Sequence, residues 1–226
     1  SLLAAPLATH AQAYLQGDTQ GALNGLCRDA MTGRMLMAHA DNLLLAMVGG
    51  AMLSSNAELL ASITAELPTN AALPPSCERA LATLTVPEMS TCTAMRGEFA
   101  MGKAYFDGAL KKEFSKIKAE IFFNADKTIA RNAEIMGWPC LPKNLQRIAK
   151  DNPLPPPPSL SLYKLECASN YIGCVLSAIA APTYSDYVAR QQDAAAQLRL
   201  VQAVLWLRQQ SDAQTNLPIA QRLKAL

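Results

Sequence analysis

The chain has 226 residues, half of them apolar and only 17% charged, with a formal net charge of +2. That length suffices to bury a core without staples, and the near-balanced charge gives no general electrostatic case for nucleic acid as a partner. The apolar residues are mostly Ala and Leu, with nine Met and few aromatics, which favours helix, because sheets draw on β-branched and aromatic side chains.

The N-terminal SLLAAPLATHAQAYLQG has no Lys or Arg ahead of Arg28. No complete signal peptide is therefore visible, and a chain that starts after signal cleavage, or that has been trimmed, is expected. Helical spacing predicts a first short helix over 7–16. Asp18 is the expected cap of a second, with Leu23, Leu26, Cys27, Ala30 and Met31 on one side. A third helix is predicted over 41–67. Its most apolar run, LLLAMVGGAML at 43–53, is about half as long as a membrane span, which needs about 20 residues, so a buried helix and no membrane span are expected. Gly49 and Gly50 inside it each cost about 1 kcal/mol relative to alanine. Close approach of another helix is the expected reason. Ser55 and Glu58 fit a capping box, which predicts a break there.

LPTNAALPP, 67–75, reads as a loop. PPSCERALATLTVPEMSTC then reads as a helical hairpin turning near 85–87, with Ser76 capping the first arm and Pro87 in the first turn of the second. The second arm is predicted to reach Lys118. Its end, KKEFSKIKAEIFF, puts Phe114, Ile117 and Ile121 on one stripe opposite lysines, a core face below a solvated one. Asn124 or Asp126 caps the next predicted helix. Pro155–Pro158 must be extended. Apolar patterns resume at once on both sides, so 153–158 is expected to be a stiff strap across the helical surface. ASNYIGCVLSAIA and a long helix over 184–210 follow, with Leu198, Val201, Leu205 and Arg208 at helical spacing. TNLPIAQRLKAL begins one more helix and stops, which predicts truncation or a disordered tail. With no strand alternation and no fixed repeat, the expected fold is all-α. It is a single irregular domain over 1–226 of about eight or nine helices.

The six cysteines are Cys27, Cys77, Cys92, Cys140, Cys167 and Cys174. None forms CxxC, and His10 and His39 give no zinc spacing with them. Disulfides, and with them an oxidising compartment, are expected. Cys77–Cys92, across the predicted hairpin, is the favoured pair. On one continuous helix Cys167 and Cys174 would lie about 10.5 Å apart, beyond the reach of a disulfide at about 4.4–6.8 Å. They can bond only if a helix starts between them, and Asn170 is a possible cap there.

The P-loop, the dinucleotide fingerprint, GxSxG and HExxH do not occur in the sequence. No cofactor and no metal are expected. The strongest polar cluster in an apolar helix is MRGEFAMGKAYFDG, 95–108. Arg96 and Glu98 are two apart and do not face each other. Arg96, Glu98 and His39 are the weak candidates for a polar site, and Glu98 with His39 is the first pair to test as an acid–base couple.

The segments LLLAMVGGAMLSSNAELLASI, VPEMSTCTAMRGEFAMG, FFNADKTIARNAEI, NYIGCVLSAIAAPTYSDYVARQQDAA and LRLVQAVLWLRQQ occur in that order. Together, over about 40–210, the chain resembles a loose group of helical cell-envelope proteins of unknown function from Gram-negative bacteria. The resemblance implies an envelope protein and no particular reaction. The expected function is that of a non-enzymatic periplasmic protein whose partner is another protein. Its sharpest form is an immunity or inhibitor protein neutralising a toxin or secreted effector. The alternatives are a periplasmic hydrolase drawing a carboxylate and a His from different helices, and a helical scaffold or adaptor.

Overall fold

In a computed structural model of the chain, residues 4–69, 71–110, 112–113, 122–210 and 218–222 are described. Among these, nine helices and no strand occur, so the all-α expectation holds. The helices are α1 (Ala4–Leu15), α2 (Thr19–His39), α3 (Leu43–Glu66), α4 (Ser76–Ala80), α5 (Val86–Met89), α6 (Cys92–Tyr105), α7 (Ala125–Gly137), α8 (Pro142–Ala149) and α9 (Tyr171–Arg208). A π-helical turn, Phe106–Leu110, extends α6, and a further single turn lies at Ile219–Arg222. The predicted stripe of Phe114, Ile117 and Ile121 lies outside the described residues, as do 211–217 and 223–226 of the predicted tail. The chain groups into two compact units, one of 1–36, 48–84 and 193–226 and one of 37–47 and 85–192.

In the first unit, Asp18 caps α2 as expected, its carboxylate accepting the Gly21 N–H at 2.9 Å. Leu23, Leu26, Cys27 and Ala30 are buried on the predicted face, and Met31 is half-buried. The close approach expected at Gly49-Gly50 exists, and Gly33 of α2 is its other half. A methyl group at Gly33 would lie 2.7 Å from the Gly49 carbonyl oxygen and 2.9 Å from the Leu53 amide nitrogen. The predicted break at Ser55 does not occur. Leu53, Ala57, Leu60 and Ile63 are all buried, and burying that continuous stripe outweighs the capping signal, since most helical stability in proteins comes from packing. By length and composition α3 could cross a membrane, and 44% of its most apolar window is buried inside the protein.

α4 is only five residues long, and a buried arginine ties down its end. Arg34 Nη1 donates to the carbonyl oxygens of Arg79 and Ala82, each at 2.7 Å, and Nη2 donates to that of Thr83 at 3.2 Å. The Arg79 carbonyl belongs to the last turn of α4, and those of Ala82 and Thr83 to the turn that follows it. Ser76 does not cap α4. Pro75 holds that position, and the Ser76 hydroxyl donates to Asn24 Oδ1 at 2.8 Å. His10 is part of the packed structure, not of a loose terminus: its Nε2 lies 2.8 Å from Asp29 Oδ2, and its ring fills the space where a side chain at Gly25 would stand.

In the second unit, Leu43 and Ala46 share a core with Ala94, Met95, Met136 and Trp138. The predicted second hairpin arm is two helices. Pro87 sits in the first turn of α5, and Thr85 and Glu88 form a capping box that starts it. α6 begins only at Cys92. Asn124 caps α7 as expected, accepting the Lys127 N–H at 2.9 Å. The proline segment is an extended strap: Leu154 packs on the core, and Arg147 Nε donates to the Pro153 carbonyl at 2.9 Å. The helix predicted over 184–210 starts earlier, taking in most of ASNYIGCVLSAIA: α9 runs 38 residues from Tyr171 to Arg208 and continues through Pro182.

All six cysteines are paired, as Cys27–Cys77, Cys92–Cys140 and Cys167–Cys174. The favoured Cys77–Cys92 pair is therefore wrong. Its premise was two arms in register, but α4 is one short turn and α5 intervenes before α6. Cys77 is instead turned toward α2, its sulfur 3.7 Å from the Leu23 carbonyl oxygen. Cys167–Cys174 forms in the way the geometry allowed: α9 starts at Tyr171, between the two, and their Cα atoms are 5.8 Å apart.

Candidate functional site

The second unit carries an open depression of about 520 Å³, lined by Leu43, Leu44 and Met47 of α3, Glu98 of α6, and Ala180, Tyr184, Tyr187 and Arg190 of α9. Its construction begins at Gly97. A side chain there would overlap the Asp41 carbonyl, so only glycine lets α6 press against the turn between α2 and α3. That approach delivers the next residue, Glu98, to the start of α3, where its Oε1 accepts the Leu43 N–H at 2.9 Å. Asn42 Oδ1 accepts the Leu45 N–H, also at 2.9 Å. Two of the donors left free at the helix start are thereby satisfied, and the carboxylate charge lies at the favourable end of the helix dipole.

The opposite wall comes from one face of α9. Ala180, Tyr184 and Tyr187 are spaced four and three apart, so they stand above one another. Arg190 follows one turn on, its guanidinium 6.0 Å from the centre of the Tyr187 ring, within the range of a cation–π contact. Burial, then the charge of Glu98, then Tyr187 raise the pKa of the Tyr184 phenol above its ordinary value. A phenol is neutral at physiological pH without any shift, and this one extends the neutral range further upward. The lining thus joins aliphatic surface, two phenols, one carboxylate and one guanidinium.

Of the three sequence candidates, Glu98 lines this depression. His39, exposed on the last turn of α2, and Arg96, exposed on α6, do not line it. The sequence reading missed Tyr184 and Tyr187, and it took Arg190, three residues from Asp193, as a structural pairing residue and not as part of a site. The spacing Ala180–Tyr184–Tyr187 was the available signal, and it was hidden by starting the last long helix at 184, which left Ala180 in a separate segment. Among the described residues, no group of three or more His, Cys, Asp or Glu side chains is arranged to hold a metal ion.

The three disulfides mark an oxidising, extracytoplasmic setting. Neither protein-family models, nor curated proteins, nor solved structures give a match to this chain.

Proposed function

We propose that this chain is a non-enzymatic periplasmic protein that binds another protein through the depression of the second unit. In its sharpest form it is an immunity or inhibitor protein that neutralises a toxin or secreted effector. The lining of the depression carries the proposal. Tyr and Arg are enriched among the residues that supply most of the energy of protein interfaces, and here Tyr184, Tyr187 and Arg190 share one wall. Across from them Leu44 is 73% exposed, apolar surface that a partner would cover. Glu98 and Arg190 bring opposite charges to the site, a pattern that fixes register and rejects wrong partners more than it adds affinity. The disulfides and the resemblance to helical envelope proteins of Gram-negative bacteria support the periplasm as the compartment.

Capture from envelope extract of the producing cells, with the wild type and with Leu44→Asp and Tyr187→Ala immobilised side by side, tests this. One discrete protein should be held by the wild type and lost from both variants while their melting temperatures stay unchanged. The same set of proteins on all three would sink the proposal. One observation favours the hydrolase alternative: Glu98 lies in a depression of small-molecule size, about 300–1,000 Å³ being usual. The isosteric Glu98→Gln separates the two readings: it should abolish a hydrolytic function, whereas a binding function should only weaken, since charge at the site sets specificity more than affinity.

A further inference from the structure

The geometry points to a second partner, an anionic lipid bilayer surface, met by an aromatic and leucine tip around residues 162–171 of the second unit. Tyr163 and Leu165 are 98% and 94% exposed, the highest values of any large apolar side chain among the described residues. Tyr171, at the start of α9, and Phe122, on the segment hydrogen-bonded to that start, are also exposed, at 57% and 50%. The Ile172 N–H, next to Tyr171, donates to the Phe122 carbonyl at 3.0 Å.

The tip is firmly mounted. Cys167–Cys174 ties it to the first turn of α9. Arg131 holds its two sides, donating from Nη2 to the Ser161 carbonyl at 2.7 Å and from Nη1 to Glu166 at 2.6 Å. A rigid mount lowers the backbone ordering entropy lost when the tip meets a surface.

Side chains that stand this clear of the protein suit a soft phase, which needs no pre-shaped pocket. Leucine gains from the acyl boundary, and tyrosine sits well at headgroup depth, with its ring in the apolar layer and its hydroxyl in the wet one. Lys164 stands between them, and Lys127 reaches the same segment, its ammonium 2.6 Å from the Ser169 hydroxyl. Both lysines are exposed and suit lipid phosphates, each such cation adding to attraction by an anionic leaflet. The Glu166 charge is met by Arg131, and Asp126 offsets one lysine, so the balance stays positive. None of these residues lines the depression, so this surface is independent of the protein-binding proposal.

Flotation of the full chain with vesicles tests it, using phosphatidylglycerol and phosphatidylcholine in equal parts against phosphatidylcholine alone. The wild type should float with the anionic vesicles and less with the neutral ones. Tyr163→Ser combined with Leu165→Ser should cut the bound fraction about tenfold or more, and Lys164→Glu should weaken anionic binding selectively. Because these positions are exposed, circular dichroism of the variants should match the wild type. Absence of flotation by the wild type, or equal flotation by the double variant, overturns the assignment. So does a tip-dependent dimer in sedimentation without flotation, which would make a second copy the occupant.

Discussion

A methyl group at position 97 would collide with the Asp41 carbonyl, and this gives opposite predictions from sequence and from structure. Helix propensity alone makes Gly97→Ala in α6 stabilising by about 1 kcal/mol. Overpacking against backbone reverses the sign, and a net loss of about 1–3 kcal/mol in urea unfolding is expected. The substitution should also pull Glu98 off the Leu43 N–H. At Tyr184 the prediction concerns pH. Its folded pKa is raised above the ordinary 10.0, so the folded chain holds the phenolic proton more tightly than the unfolded one does. Stability from this group is fully present below pH 10.0 and is lost as pH rises from there toward the folded pKa. Glu98→Gln removes the second cause but not burial, the first, so the Tyr184 pKa should fall without reaching the ordinary value. The difference in tyrosinate absorbance between a Tyr184→Phe variant and its parent, with and without Glu98→Gln, reads this directly.

The disulfides rank the elements by what they hold. Cys27–Cys77 closes 50 residues and Cys167–Cys174 only seven. Loop-closure entropy then makes removal of the first cost about 4 kcal/mol and of the second about 2 kcal/mol. Paired Cys→Ala substitutions at 27 and 77, against 167 and 174, should show that order in denaturant midpoints. Equal losses would contradict it. The elements also show what was legible in the sequence. Asp18 and Asn124 were readable as caps because a cap depends on a donor three residues away. The Cys167–Cys174 option was readable because helix geometry bounds a seven-residue span. The partner of Cys77 was not, since it lies 50 residues back on α2 and depends on how α4 packs there. Gly33 was equally silent: the sequence shows the cost of Gly49 and Gly50, not which helix approaches them. The wall of Tyr184 and Tyr187 was lost because the last long helix was expected to start at 184, whereas α9 starts at Tyr171 and continues through Pro182.

Over the whole molecule, the two compact units carry different parts of the account. The first holds the His10–Asp29 pair, the Arg34 clamp and the Cys27–Cys77 bridge, all of which fix helices. The second holds the depression and the exposed tip. Function should therefore follow surface changes in the second unit that leave stability alone. His39→Ala, at an exposed position outside the depression, should leave function in cells intact. The most direct test of a protein partner at the depression is site-specific photocrosslinking in the producing cells, with the probe at position 44 and, as a control, at exposed position 143. A discrete heavier adduct from position 44, absent from position 143 and lost when Tyr187→Ala is added, is the expected result. No adduct at position 44, or the same adduct from both positions, would contradict the account.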